Sequence, residues 1–257
     1  MKTIEPFVNQ LICGDCLKVM PDMPSQSVDL CLTDPPYLVN YLPRDRRRCV
    51  NDNNNAWLRP AFQEIYRLLK PNSLCISFYG WPWIEQFMHV WKQCGFRPVS
   101  HLVWVKSYAS REGYTRSFHE VGYLLAKGRP RKPGNPPSDV LPWQYTGNLL
   151  HPNQKPVVGL VPLIEAYTEP DDIVLDPFAG SGSTAVAARR CHRSFILIEK
   201  DAELCRAAQA RLPGIPQFSL AQQSRPCCPQ NQTQQTTRGS NGRLTHVNDT
   251  RSKVQYE

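Results

Sequence analysis

Two consecutive prolines at the end of an apolar run set the tightest constraint on this chain. Ser27-Val28-Asp29-Leu30-Cys31-Leu32 reads as a buried parallel strand, and Thr33-Asp34-Pro35-Pro36-Tyr37 stops it in a rigid turn. Proline fixes φ and has no backbone N–H, so Pro35 and Pro36 offer carbonyl acceptors without donors. A carboxylate stands just before them and an aromatic ring just after. Asp34 and a proline carbonyl can accept both hydrogens of an exocyclic amino group on a planar ligand, and Tyr37 can stack on its plane. An ordinary Asp-Pro turn at a strand end has the same letters, so the rest of the chain must choose between the two.

The flanking pattern alternates strands and helices. Leu11-Ile12-Cys13 is a short strand leading to Asp15, which at such a junction is either a ligand contact or a solvated turn residue. Leu58, Phe62, Ile65, Tyr66 and Leu69 share one helical face, closed by Lys70-Pro71-Asn72. Residues 74–79 form a strand, and Ile84, Phe87, Met88 and Trp91 mark a helix stopped by Gly95. Strands follow at 101–105 and 121–125. A helix carries Leu160, Leu163, Ile164 and Tyr167 and is expected to bend at Pro162. A strand at 173–176 runs into a Gly-rich turn and a helix from Ala185 to Cys191. The strand 195–198 ends in Glu199, and a last helix spans about 201–212. This alternation predicts an α/β fold with helices on both faces of the sheet.

Two segments break the alternation. Residues 38–55 hold Arg44, Arg46, Arg47 and Arg48 and then an Asn-rich run, a loop long enough to be functional or mobile. Its arginines are candidate phosphate contacts or a solvated loop. In residues 128–142 proline and glycine exclude regular structure, while Arg129, Arg131 and Lys132 make the stretch basic. From Pro213 the chain is rich in Gln, Asn, Thr and Ser, which predicts a disordered tail over 213–257.

Composition sets outer bounds. With 257 residues, one large domain has room for a full core. No apolar run reaches the roughly 18 residues a membrane span needs, and the N-terminus lacks a signal-peptide core. A cytoplasmic protein with reduced thiols is therefore expected despite ten cysteines. Cys13-x-x-Cys16 has no second pair at zinc-site spacing, so no metal is expected. The net charge of +8 and pI of about 9.0 favour a polyanionic partner.

The second half reads as a nucleoside site. Asp176-Pro177-Phe178-Ala179-Gly180-Ser181-Gly182-Ser183-Thr184 follows a β-branched strand, and Glu199 at the next strand end can accept from both hydroxyls of a ribose. Gly180-x-Gly182-x-x-Ala185 passes for a dinucleotide fingerprint, which keeps NAD open. Asp176 argues against it, because a carboxylate there repels a pyrophosphate but suits the ammonium of a methionine moiety. S-adenosylmethionine fits best.

Three boxes in order then carry a resemblance: Asp34-Pro35-Pro36-Tyr37, His151-Pro152-Asn153-Gln154-Lys155-Pro156, and the Asp176–Thr184 loop. Over about residues 10–212 the chain resembles the permuted β class of amino-methylating DNA methyltransferases. The resemblance implies a Rossmann-like S-adenosylmethionine-dependent methyltransferase fold with a mostly parallel sheet and a circularly permuted motif order. It implies a methyltransferase domain over 1–212, with a catalytic half at 1–127, a target-recognition segment at 128–150 and a cofactor half at 151–212. Asp34, Pro35, Pro36 and Tyr37 would hold a flipped base. Asp15, Lys155, Asp176, Phe178, Gly180, Ser181, Gly182, Ser183, Thr184 and Glu199 would surround the cofactor. Arg44, Arg46, Arg47, Arg48, Arg129, Arg131 and Lys132 are the candidate DNA contacts.

In that family Asp at the first motif position is typical of adenine-N6 enzymes and Ser of cytosine-N4 enzymes, so Asp34 favours adenine in double-stranded DNA. Cytosine-N4 methylation and a DNA-binding relative without catalysis are the alternatives. The recognition segment is short, which suggests a short site read by a homodimer. Nothing in the residues marks a restriction endonuclease partner.

Overall fold

The computed structural model describes residues 2–39, 52, 54–109, 111–144, 155–214 and 217–218. In chain order the elements are β1 (Gln10–Cys13), α1 (Cys16–Val19), β2 (Val28–Thr33), α2 (Leu58–Leu68), β3 (Leu69–Phe78), α3 (Ile84–Gln93) and β4 (Arg97–Lys106). The small hairpin β5 (Arg111–Glu112) and β6 (Arg116–Ser117) precedes β7 (His119–Ala126) and β8 (Val140–Trp143). Then come α4 (Val161–Tyr167), β9 (Ile173–Asp176), α5 (Ser183–Arg190), β10 (Ser194–Glu199), α6 (Ala202–Arg211) and β11 (Gln217–Phe218).

Among the described residues nine strands form one sheet in the order β11-β1-β10-β9-β2-β3-β7-β4-β8. β7 runs antiparallel to both its neighbours, and the other pairings are parallel. The permutation is visible in this order. β1 and β2 are consecutive strands in the chain, yet β10 and β9, from the far end of the domain, lie between them.

Strand residues alternate between two cores. Ile12, Cys31, Cys75, Leu175 and Ile196 pack with α1, α2 and α3 through Val19, Phe62, Ile65, Phe87 and Trp91. Leu11, Leu30, Leu32, Ile76, Val174 and Leu197 face the other side, with Leu163, Ile164, Ala185, Ala188 and Ala208 of α4, α5 and α6. The helices therefore cover both faces, as the alternation predicts. No helix among the described residues is long and apolar enough to cross a membrane.

Several expectations change. Pro162 does not bend α4; it lies in the first turn, where its missing N–H costs nothing. Lys70-Pro71-Asn72 does not form a separate turn but lies within β3, where pairing with β2 shifts register and Asn72 takes a φ of 60°. The 128–142 stretch ends in regular structure: β8 includes Pro142, which an edge strand tolerates. The polar tail contributes β11, whose backbone pairs with the outer edge of β1, so the sheet extends past residue 212. Residues 219–257 lie outside the described residues.

Cys13 and Cys205 form a disulfide, with Cα atoms 6.1 Å apart. The all-thiol expectation fails for this pair because the packing of α6 on β1 joins positions 192 apart in sequence, which no local spacing reveals. Cys16, Cys31, Cys75, Cys94 and Cys191 are free.

Candidate active site

The chain leaves β9 toward β10 and leaves β2 toward β3, so the carboxyl ends of β9 and β2 lie side by side at a topological switch point, the place where open α/β sheets bind ligands. Asp176 ends β9 and Asp34 follows β2. The Thr33 hydroxyl donates to Asp176 Oδ1 at 3.0 Å and joins the two strand ends. Asp176 also accepts from the Phe178 N–H at 3.1 Å and the Thr184 hydroxyl at 2.6 Å. It is only 3% exposed, and its hydrogen-bond donors are uncharged. Burial pushes its carboxyl up to about 7; the three donors oppose that shift and the nearby Asp34 charge adds to it.

The Gly-rich loop continues from Asp176. Gly180 and Gly182 have φ of 52° and 79°, which side-chain-bearing residues rarely adopt. A Cβ on Gly182 would meet Ala208 Cβ at 3.2 Å, whereas one on Gly180 would point into open space. Arg211 of α6 clamps the loop by donating to the Ser181 carbonyl at 2.7 Å and to the Ser181 and Ser183 hydroxyls at 3.0 and 3.1 Å. The Phe178 ring packs edge-on against Trp57, with centroids 5.1 Å apart. Glu199, at the end of β10, accepts from the Gly180 N–H at 2.8 Å and the Asp201 N–H at 2.7 Å. Its burial raises its carboxyl above the ordinary range. Asp15 caps α1 through the Leu17 N–H at 3.0 Å and pairs with Lys200 at 2.8 Å. The Gly14 N–H to Glu199 carbonyl bond of 2.8 Å sets Asp15 beside that cradle.

The Asp34 pocket is built differently. Tyr37 donates its hydroxyl to Asp34 Oδ1 at 2.8 Å, and Lys155 reaches Asp34 Oδ2 at 2.5 Å and the Tyr37 hydroxyl at 3.3 Å. The Lys155 ammonium also lies 4.8, 5.4 and 5.8 Å from the ring centroids of Phe78, Tyr37 and Trp143. Behind them Lys106 of β4 pairs with Glu120 of β7 and sits 5.0 Å from the Trp143 ring centroid. Burial, then the charges of Asp34 and Glu120, raises the Tyr37 phenol well above its usual value. Two carboxylates and two lysines thus lie among aromatic rings, so that acceptors and π faces are gathered at one place.

The N6_N4_Mtase family model, described as DNA methylase, matches residues 28–210, more than half of the chain. The chain belongs to this DNA methylase family. It is 50% identical over 208 residues to "Putative methylase YubD" of Escherichia coli (strain K12), covering 81% of this chain and 92% of that protein. The M1.HpyAVI–SAM complex is similar in structure, with a TM-score of 0.65 at 24% identity, over 79% of this chain and 98% of that one. The cytosine-N4-specific PvuII DNA methyltransferase matches with a TM-score of 0.64 at 19% identity, over 78% and 85% of the two chains.

In this DNA methylase the structure gathers Asp15, Asp176, Phe178, the loop residues 180–184 and Glu199 along the carboxyl edge of β1, β10 and β9. Lys155, expected at the cofactor, contacts Asp34 and Tyr37, and its side chain reaches into the aromatic box. Sequence reasoning missed Lys106, Glu120, Trp143 and Arg211. A basic residue in the last turn of α6 was readable, but its target was not. Arg44, Arg46, Arg47 and Arg48 lie outside the described residues, as does His151.

Arg129, Arg131 and Lys132 are exposed but start far from the pocket. The Arg129 N–H bonds the Asn72 side chain at 2.9 Å. Asn72 lies six residues before Phe78 on β3, roughly 20 Å back along the strand toward the opposite edge of the sheet. Among the described residues no group of three or more His, Cys, Asp or Glu is placed to hold a metal ion.

Proposed function

We propose that this DNA methylase transfers the methyl group of S-adenosylmethionine to the exocyclic N6 of adenine in double-stranded DNA, with the base flipped into the Asp34 pocket. The observation that carries this reading is Asp34 at the end of β2, inside an aromatic box and joined through Thr33 to Asp176 of the glycine-loop cradle. Residues 1–127 supply most of the pocket and 151–212 the cradle. A short site read by a homodimer goes with this assignment.

The cradle fits the cofactor on its own chemistry. Gly180 leaves open space beside the loop, Glu199 offers a carboxylate at a strand end for vicinal hydroxyls, and buried Asp176 suits a cation. When bound, S-adenosylmethionine supplies a methyl group activated by a sulfonium. The chain's residues do the rest. Asp34 and a Pro35 or Pro36 carbonyl accept the two N–H bonds of the target amine and draw the nitrogen toward sp³, freeing its lone pair for in-line attack. Tyr37 offers the base a ring to stack on. As the amine becomes cationic, Asp34 stabilises the charge and can take the departing proton. Much of the acceleration comes from holding the two partners in line.

Long-read sequencing of DNA from cells expressing this chain, beside cells expressing Asp34→Ala, tests the reading. N6-methyladenine at one short motif, absent with the variant, is the expected result. N4-methylcytosine would move the assignment to the cytosine branch. An unmodified genome, with the purified protein still binding cofactor, would leave a DNA-binding relative without catalysis.

A further inference from the structure

The tryptophans after β3 have no role in the pocket. Trp81-Pro82-Trp83 forms a single 3-10 turn, with Trp81 70% and Trp83 37% exposed. Its place is fixed by the sheet. β2 and β3 are parallel neighbours with Thr33 beside Ser77, so Asp34–Tyr37 and Tyr79–Trp83 leave the same edge together. Gly80 locks the two turns: a Cβ there would lie 2.3 Å from the Tyr37 carbonyl oxygen and 2.8 Å from Tyr37 Cβ. The Trp83 N–H closes the turn on the Gly80 carbonyl at 2.9 Å, and Pro82 removes backbone freedom.

A large indole is thus held in water, on a rigid mount, one residue from the glycine that touches the backbone of Tyr37. Exposing such a ring costs apolar surface unless something covers it. Drawing a base out of a duplex leaves a gap between two base pairs, and a flat apolar side chain can fill it. We propose that Trp81 is the wedge of this DNA methylase: it enters the stack beside the target base and holds open the gap the base vacates, with Trp83 buttressing the turn. The assignment rests on the proposed function, since it needs a duplex whose target base enters the Asp34 pocket.

The experiment uses the full chain and short duplexes carrying the site found by sequencing. In one duplex the target faces its normal partner; in the other it faces an abasic position, so that no pair must be opened. Trp81→Ala is expected to bind S-adenosylmethionine as wild type does and to lose on the order of ten- to a hundred-fold in methylation of the paired duplex. On the abasic duplex it should return to within about three-fold of wild type, with Trp81→Phe intermediate on the paired one. A 2-aminopurine at the target position should brighten with wild type and not with Trp81→Ala. Equal activity of Trp81→Ala and wild type on paired DNA overturns the wedge, and leaves the indole free to meet a protein partner. An equal loss on both duplexes overturns it too, since that is a structural defect. A wild-type chain that methylates neither duplex overturns the proposed function as well.

Discussion

Asp34 and Asp176 sit at the ends of adjacent strands and are held in opposite ways. Asp176 is closed off by three donors of its own chain, two hydroxyls and an amide, with no lysine or arginine among them. Asp34 meets a lysine ammonium and a phenol, and its side chain keeps 26% of its surface exposed. The first arrangement is a finished framework whose charge is costly until a cation arrives. The second is provisional: its partners are N–H and O–H donors that an incoming amine can replace. Under the proposed function, the contrast separates the part of the site assigned to the cofactor from the part assigned to the substrate.

Breaking each side should give different signatures. Asp34→Ala should reduce methyl transfer on the order of 10²- to 10³-fold, the usual effect of deleting a group that stabilises developing charge. Its S-adenosylmethionine affinity should stay near wild type, as read by calorimetry. Loss of cofactor binding would show that the two carboxylates act as one unit.

Asp176 should reveal itself through pH. Its carboxyl is raised from 3.8 to about 7 in the folded chain. Between those values the folded protein holds a proton that the unfolded chain has lost, so stability falls as pH rises from about 4 to about 7 and levels off above. The full effect is on the order of 4 kcal/mol. Asp176→Asn should remove this slope and unfold later than wild type at pH 8, while binding cofactor about ten-fold more weakly. Denaturant titrations at pH 5 and pH 8 measure it, and parallel slopes in the two proteins would show that the carboxyl is not raised.

Lys155 tests where the boundary between the two regions runs. Lys155→Met removes the ammonium but keeps an apolar stem within the aromatic box. Losing the ammonium that orients Asp34 and Tyr37 before substrate enters should lower kcat on the order of ten-fold and leave KM for S-adenosylmethionine unchanged. The opposite split, a raised KM with kcat intact, would return Lys155 to the cofactor side.

The difference between the two carboxylates also shows what the sequence could carry. Asp176 with its glycines, and Asp34 with its prolines, were legible as strand-end turns because strand, carboxylate and turn are contiguous in the chain. Asp176's donors Phe178 and Thr184 are local as well. The far wall of the pocket was not legible. Lys106, Glu120 and Trp143 meet only because β7 turns antiparallel to β4 and β8 returns alongside it, a strand order that periodicity does not encode. The same holds for Lys155, which meets Tyr37 across 118 positions of sequence, and for Cys13 with Cys205. β8 was hidden for another reason: proline signals a break in most strands, and only the edge position makes Pro142 acceptable.

The smallest effect is expected at the basic stretch after β7, where sequence and structure lead to different forecasts. Composition alone makes Arg129, Arg131 and Lys132 phosphate contacts, whose joint replacement by Ala would weaken DNA binding. Three such contacts would add about 2.7 to the magnitude of the salt slope of log K. The fold ties the start of this stretch to Asn72, toward the sheet edge opposite Asp34. A duplex engaged at the carboxyl edge has its phosphates nearest the pocket mouth, and charge roughly 20 Å away is largely screened at physiological salt. The triple Ala variant should therefore change DNA affinity by less than about two-fold and the slope by less than about 1. Binding measured across a salt series decides the matter. A slope reduced by nearly the full amount would mean that DNA follows the chain around to the far edge, and the division between a substrate edge and a structural edge would have to be redrawn.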